Sequence, residues 1–308
     1  ENDHKLNKII NNLISNPIKQ LEGENNRHLF RYLNNAGFKS TVSIENKIEQ
    51  WLSGYSKFSR NQRSKILLSK LLVKSIPLFA RSNDPDTSFN NFTLVLEGIS
   101  SGTNLFSLLI SNLNLFYLFI KILTTAPRLA NQISKFPDIL DNFIQNPPSS
   151  EQITYDSYLK TFNSIPKSFS EEDKLEFLRK NHREFHFRIS LQVFLNLIST
   201  KEAGIAFTNL AKASLDAIIP ISLANIIKRY GKNTSDFGLI MFGRFSRKEM
   251  NASSDLDFVI VYKDQNKSSI PNSKYFANFA RTLINHLNAP MKEGILYDVD
   301  MRLRPSGL

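Results

Sequence analysis

Residues 237–262 read FGLIMFGRFSRKEMNASSDLDFVIVY, and this stretch decides the fold predicted for the chain. Its two apolar runs, Phe237–Phe242 and Phe258–Val261, are typical of strands buried on both faces. Gly243 ends the first run, at a point where the backbone either turns tightly or closely approaches a ligand. The stretch therefore predicts a strand, a turn, a polar loop and a second strand.

Two carboxylates stand where the polar loop enters the second strand. Asp255 and Asp257 are two residues apart, and residues at that spacing project from the same face of a strand. Leu256 is expected on the opposite face. Adjacent carboxylates repel each other unless a cation lies between them. Because the ligands are oxygen atoms, the expected ion is hard, namely Mg²⁺ carrying nucleotide phosphates.

A third segment near the end of the sequence, residues 297–304, reads YDVDMRLR and alternates strictly between polar and apolar residues. In a strand, one face would carry Asp298, Asp300, Arg302 and Arg304. A sheet that presents Asp300 beside the first two aspartates has the components of a metal-dependent nucleotidyl-transfer site. Carboxylates would hold two ions that contact the attacking and leaving oxygens, and arginines would neutralise phosphate charge.

These motifs resemble a known family. A glycine, a loop and then Asp-x-Asp at this spacing resemble the polymerase-β-like nucleotidyltransferase superfamily. The strings SSDLD and GILYDVDMRLRPSG are more specific, and they resemble the catalytic domain of glutamine synthetase adenylyltransferases. That bifunctional family attaches AMP to a tyrosine of glutamine synthetase and removes it, using two catalytic domains in tandem. ILY before the third aspartate and PSG after the second arginine resemble the C-terminal, adenylylating copy, whereas Met301 is more typical of the deadenylylating copy.

The resemblance implies a fold and a set of site residues. The fold class is α+β, with a mostly helical N-terminal part followed by a polymerase-β-like palm with a mixed sheet, truncated at its C-terminal end. Asp255, Asp257 and Asp300 are implied to be catalytic and to bind Mg²⁺. The residues implied to bind the nucleotide are Gly243, Arg244, Ser246, Arg247, Ser254, Arg302 and Arg304.

The resemblance also implies the partners. ATP is expected as substrate, glutamine synthetase as the acceptor, and a PII-type signalling protein as a regulator that binds through parts of the enzyme outside this segment. No nucleic-acid or membrane partner is expected, and the expected location is cytoplasmic. The chain begins with Glu and stops at PSGL, so we expect a segment of a longer protein.

One loop departs from the family pattern. The family loop usually reads Gly-Lys-Leu-Gly-Gly, whereas this chain has Gly243, Arg244, Phe245, Ser246 and Arg247. If the two glycines let backbone N–H groups approach a triphosphate, β-carbons at those positions would obstruct it. Alternatively, the Arg247 side chain supplies a phosphate contact of its own.

This departure keeps alternatives open. One is a degenerate domain that no longer catalyses and serves as a regulatory binding module, although a retained carboxylate cluster would then cost stability without benefit. Others are the deadenylylating, phosphorolytic copy and a nucleotidyltransferase acting on nucleic acid or a small molecule.

Composition adds weaker constraints. The chain has 39 Lys and Arg against 28 Asp and Glu, a formal net charge of +11, and no Cys. A basic surface attracts nucleic acid, ATP or acidic proteins, but the basic residues are scattered and fit background composition. The most membrane-like stretch, 105–123, is interrupted by Ser and Asn and carries Lys121, which disfavours a transmembrane span.

The remaining sequence predicts helices in three parts: a helical connector at 1–81, a helical domain at 82–235 and the catalytic palm at 236–308. A helix ends near Pro77, and a capping box at Ser168–Glu171 opens a long helix. That helix contains HREFH, with His182 and His186 four residues apart. Without the glutamate of the zinc-protease motif and without a third ligand, this pair is interpreted as a solvated helix face. A following helix contains Pro220 and ends at Gly231.

Overall fold

The computed structural model describes residues 24–140, 149–151, 153–263 and 270–300, except for the side chains of residues 24–28 and 300. The chain divides into two compact units, Glu1–Asn146 and Pro147–Leu308. The domain boundaries at 81/82 and 235/236 remain predictions, since contacts within a chain do not define functional domains.

The described part of the first unit is helical. Three of its helices begin at an N-cap side chain that accepts a backbone N–H: Asn61, Asp84 and Asn112. Its core is aromatic, with Trp51 stacked on Phe89 at 5.6 Å between ring centroids. The helices are α1 Glu24–Asn35, α2 Thr41–Ser53, α3 Gln62–Ala80, α4 Pro85–Gly98, α5 Gly102–Ser111, α6 Leu113–Thr125 and α7 Pro127–Lys135, with a 3₁₀ turn at Lys57–Ser59.

The predicted end of a helix at Pro77 is wrong, because α3 continues through the proline to Ala80. A proline removes one backbone hydrogen bond from a helix and strains its ring against the preceding turn. The residues after Pro77 nevertheless remain helical, since Phe79 is fully buried and packs on Phe92. Tertiary packing therefore outweighs the local preference.

The described part of the second unit combines helices with a small sheet. Its elements are α8 Tyr155–Asn163, α9 Glu171–Phe194, α10 Thr200–Tyr230, β1 Phe237–Met241, α11 Gly243–Ser246, β2 Leu256–Tyr262, α12 Asn272–Asn288 and β3 Val299–Asp300. The capping box of α9 is Ser170 with Asp173, two residues beyond the predicted Ser168 and Glu171. As predicted, α10 includes Pro220 and ends at Gly231, whose φ is 78°.

The sheet has the order β1-β2-β3, with β1 antiparallel and β3 parallel to β2. One face packs on α12, where Phe237 lies 5.6 Å from Phe276 between ring centroids. On the opposite face Ile240 is 47% and Val261 is 44% exposed. The prediction that both strands are buried on both faces is therefore wrong for the described chain. The mostly helical α+β class is confirmed.

One described helix, α10, is long and apolar enough to cross a membrane, but half of its apolar 18-residue segment is buried within the protein. Core helices of soluble proteins can be equally long and apolar, so the length and composition of α10 are weak evidence for a membrane span. The stretch 105–123 forms two helices, α5 and α6, bent by 111°, which would qualify only as a single broken span.

Candidate active site

The first strand residues after the polar loop alternate in burial. The exposed fractions of Leu256 and Phe258 are 0% and 1%, and both residues belong to the same core as residues of α12. Asp257 is half-buried and Asp255 is exposed. Packing of the apolar residues on one side thus keeps both aspartates out of the core.

Gly243 lies directly against Asp257. Its φ is +58°, and a Cβ atom at this position would lie 2.3 Å from Oδ2 of Asp257. The Phe242 N–H also donates to the Asp257 carbonyl at 2.9 Å, which ties the end of β1 to the start of β2. Both the backbone conformation and the close approach therefore require glycine here.

The loop after Gly243 forms the single helical turn α11. The Ser246 hydroxyl donates to the Gly243 carbonyl at 3.0 Å, so it braces its own turn. Arg244 is exposed, and Arg247 pairs with Glu249 at 3.1 Å, with 65% and 64% of the two side chains exposed. An ion pair this exposed is weak, so it leaves Arg247 able to exchange Glu249 for another anion.

A second turn, at 251–254, precedes the aspartates. The Asn251 N–H donates to the Ser254 hydroxyl at 2.9 Å, and the Ser253 N–H donates to Oδ1 of Asn251 at 2.9 Å. The Ser254 hydroxyl therefore holds the turn from which β2 starts. Asparagine and serine favour such turns because their side chains replace backbone partners.

The third predicted strand lies beside the second. The Leu256 N–H donates to the Asp298 carbonyl at 2.9 Å, and the register pairs Asp257 with Asp300. Asp300 is described by its backbone alone, and Arg302 and Arg304 lie outside the described residues. Among the side chains that the structure does describe, no group of three His, Cys, Asp or Glu residues is placed to hold a metal ion.

The interpretation of His182 and His186 as a solvated face is wrong. His182 is 5% exposed and its ring lies 4.7 Å from that of Tyr297, whereas His186 packs at 5.0 Å on Phe207. Burial lowers the pKa of His182 well below its usual value and that of His186 to about 4. Both imidazoles are therefore neutral near pH 7.

His186 reaches the candidate site through a loop. Its Nε2–H donates to the Ala252 carbonyl at 3.1 Å, three residues before Asp255. No local pattern in HREFH indicates this contact, because its two partners are 66 residues apart in the sequence.

Comparisons with known proteins identify the family of the chain. The model of the family described as glutamate-ammonia ligase adenylyltransferase matches residues 116–308. Bifunctional glutamine synthetase adenylyltransferase/adenylyl-removing enzymes are similar to the chain: that of Rhodopseudomonas palustris (strain BisB5) is 27% identical over 94% of it, and that of Brucella melitensis biotype 1 is 31% identical over 88%. The chain spans 30% and 28% of the lengths of these two relatives. Since the family model covers more than half of the residues, the chain belongs to the glutamate-ammonia ligase adenylyltransferase family.

Proposed function

We propose that residues 236–308 form part of a nucleotidyltransferase palm, and that the enzyme transfers AMP from ATP to a tyrosine of glutamine synthetase in the cytoplasm. Family membership supports the reaction class. The observation that carries the proposal is the position of Asp257, which lies against the glycine turn and in register with Asp300. At Gly243 the loop after β1 comes close to β2, the strand that carries Asp257, because glycine has no side chain.

Asp255, Asp257 and Asp300 would hold Mg²⁺. The donor set fits, because all three offer carboxylate oxygens and Asp255 faces solvent, where hydrated Mg²⁺ arrives. Asp257 and Asp300 are paired in register, so their backbones are neighbours in the sheet. When bound, the ion neutralises phosphate charge and orients the triphosphate.

The protein groups have distinct roles in this reaction. The tyrosine oxygen attacks the α-phosphorus of ATP in line, a P–O bond forms, and pyrophosphate leaves. Asp300 would position the acceptor hydroxyl and accept its proton. Arg244 and Arg247 extend from the exposed turn and would contact the triphosphate. Arg302 and Arg304, which follow β3 in the sequence, would add positive charge.

The direction of transfer follows from the flanking sequence. GILYDVD and RPSG, the helical connection before residue 80 and APRLANQISKFPDILD all resemble the C-terminal, adenylylating copy. Met301 is the exception, but a volume-conserving apolar exchange is easily tolerated. Regulation by a PII-type protein would involve parts of the enzyme beyond this segment.

A second candidate function is a non-catalytic binding module for glutamine synthetase. The observation in its favour is the loop, where Ser246 and Arg247 replace glycines and Arg247 already has a carboxylate partner. Titration of the full-length protein and of its Asp255→Asn variant with Mg·ATP separates the two candidates, because the resemblance implies a second catalytic copy outside this segment. Loss of one class of nucleotide site in the variant supports the enzyme, and identical binding by both proteins supports the module.

The direct test uses the full-length protein with glutamine synthetase in two reactions. The first contains α-labelled ATP, and the second contains adenylylated glutamine synthetase and inorganic phosphate. Label transfer that is lost in an Asp255→Asn variant, together with unchanged ADP release in the second reaction, supports adenylylation by this copy. ADP release that is lost with Asp255 while label transfer persists would assign the chain to the deadenylylating copy.

A further inference from the structure

Helix α9 carries a row of polar residues on one side. Glu176, Arg179, Arg183 and His186 are separated by three, four and three residues, which places them on one face of a helix. We call these four residues the polar stripe of α9. Their hydrogen-bond and ion-pair partners lie in the loop before β2, at the C-terminal end of α12 and in the turn between α12 and β3.

The N-terminal part of the stripe holds the turn that leads to β3. The Glu176 carboxylate accepts the N–H groups of Lys292 and Glu293, both at 3.0 Å. Arg183 forms an ion pair and hydrogen bond with the Glu293 carboxylate. This turn is closed by paired hydrogen bonds between Met291 and Gly294, and β3 starts five residues after it.

Arg179 fixes the helix that enters the same turn. Its side chain is fully buried and Nη2 donates to the carbonyls of His286 at 2.7 Å and Ala289 at 3.2 Å, at the C-terminal end of α12. Burial lowers the pKa of Arg179. A buried guanidinium carries a desolvation cost that an apolar side chain would avoid. Arg179 therefore contributes by fixing the positions of the two carbonyl groups to which it donates.

The C-terminal part of the stripe holds the loop before β2. His186 donates to the Ala252 carbonyl, and Met250 in the same loop is buried to 2% exposure. Helix α10 approaches this loop closely at Gly204, where a Cβ atom would lie 2.9 Å from the Lys248 carbonyl oxygen. Lys248 itself has a φ of 58°, so the loop turns sharply where it meets the helix.

We propose that the polar stripe of α9, together with Gly204, positions the two carboxylate-bearing strands of the candidate active site. The stripe holds the loop carrying Asp255 and the turn leading to Asp300 against α9, and Gly204 lets the same loop approach α10 closely. The two carboxylate-bearing strands then keep a single relative position. Glu176, His186 and Gly204 are thus positioning residues. The inference rests on the proposed AMP transfer and adds residues to it that touch neither nucleotide nor acceptor.

The test compares variants of the full-length protein. His186→Leu removes the donor to Ala252, whereas His186→Gln retains an amide N–H in a similar place. Glu176→Ala removes the acceptor of the Lys292 and Glu293 amides. Asn181→Ala is the matched control, because Asn181 is half-buried in the same helix, lies off the stripe, and donates to the Phe177 carbonyl within the helix.

Two readouts are measured on each variant: hydrogen exchange of peptides covering 250–256 and 291–296, and kcat and KM for AMP transfer, per folded molecule. We expect faster exchange at 250–256 in His186→Leu and at 291–296 in Glu176→Ala. In both, kcat should fall by about 10- to 100-fold, the loss that a displacement of about 1 Å produces, with KM for glutamine synthetase unchanged. His186→Gln should restore most of kcat, and Asn181→Ala should match the wild type.

Gly204→Ala gives an independent test, because alanine favours the helix but its Cβ displaces the loop. We expect faster exchange at 250–256 together with reduced kcat per folded molecule. Unchanged local exchange in His186→Leu and Glu176→Ala, or wild-type kcat in the folded fraction, would overturn the proposal. If the wild type lacks AMP transfer, the proposed function fails by itself, while the exchange data still decide whether the stripe holds the loops.

Discussion

Gly243 and Asp257 approach each other so closely that a Cβ atom at position 243 would lie 2.3 Å from the Asp257 carboxylate oxygen. This contact joins the turn after β1 to the first residues of β2. It also explains why glycine stands at position 243, whereas Ser246 and Arg247 carry side chains. Gly243 meets a steric requirement of the fold, whereas the two later positions lie on the exposed surface of the turn.

Substitution of Gly243 should therefore impair both the fold and the site. Gly243→Ala forces alanine to a φ of +58° and pushes the Asp257 carboxylate aside, at a cost of about 1–3 kcal/mol. We expect AMP transfer to fall by about 10- to 100-fold. Chemical denaturation and labelled-ATP assays measure the two effects.

Two other glycines separate the causes. Gly37 has a φ of +92° with nothing within 4 Å of a Cβ, and Gly238 has neither positive φ nor a close neighbour. Gly37→Ala should cost stability through backbone strain alone, and Gly238→Ala should be nearly neutral. Loss of transfer in Gly238→Ala equal to that in Gly243→Ala would contradict the role of the contact.

Replacement of Asp255 should abolish AMP transfer and leave the protein folded. Asp255 is exposed, so Asp255→Asn removes a charge without opening the core, and its melting temperature should stay within a few degrees of the wild type. The control is Asp236→Asn, an exposed aspartate in the same unit that pairs with Lys263 at 2.8 Å. It should retain transfer. Undiminished transfer by Asp255→Asn would remove this carboxylate from the metal site.

Arg247 should contribute to nucleotide affinity more than to stability. Its ion pair with Glu249 is largely exposed, so Arg247→Ala should change the free energy of unfolding by no more than about 1 kcal/mol. If Arg247 contacts the triphosphate, the same variant weakens Mg·ATP binding, as measured by calorimetry. Glu249→Gln is the counterpart, because it frees the guanidinium and should leave affinity equal or higher. Equal losses in both variants would assign Arg247 to the ion pair.

The buried histidines predict a loss of stability in mild acid. The pKa of His186 is about 4 in the folded protein against 6.5 in the unfolded chain, and that of His182 is also lowered. Below about pH 6.5 the unfolded state takes up protons that the folded state does not, so the free energy of unfolding falls as the pH drops toward 4. Above pH 6.5 neither histidine contributes to pH dependence. Urea unfolding between pH 7.5 and 4.5 measures the slope, which His186→Gln should reduce; an unchanged slope in that variant would contradict the assignment.

Local sequence patterns predicted the elements of this protein well. Local signals predicted the two long helices where α9 and α10 lie, and Gly231 was correctly expected at the end of α10. The Asp-x-Asp motif led directly into a strand with Leu256 on the buried side, as the two-residue period requires. These features depend on contacts between near neighbours, so the sequence alone determines them.

The tertiary structure decided the features that depend on distant residues. Pro77 lies inside a helix because Phe79 is buried against another helix. His182 and His186 are covered because residues from α10 and from the segment before β3 pack over α9, which no local pattern in HREFH indicates. The hydrogen bonds of Glu176 and Arg179 span more than 100 residues of sequence. The residues of the candidate site thus remain a prediction from sequence alone, whereas the packing of α9 against remote segments was decided by the tertiary structure, because such contacts exist only once the chain is folded.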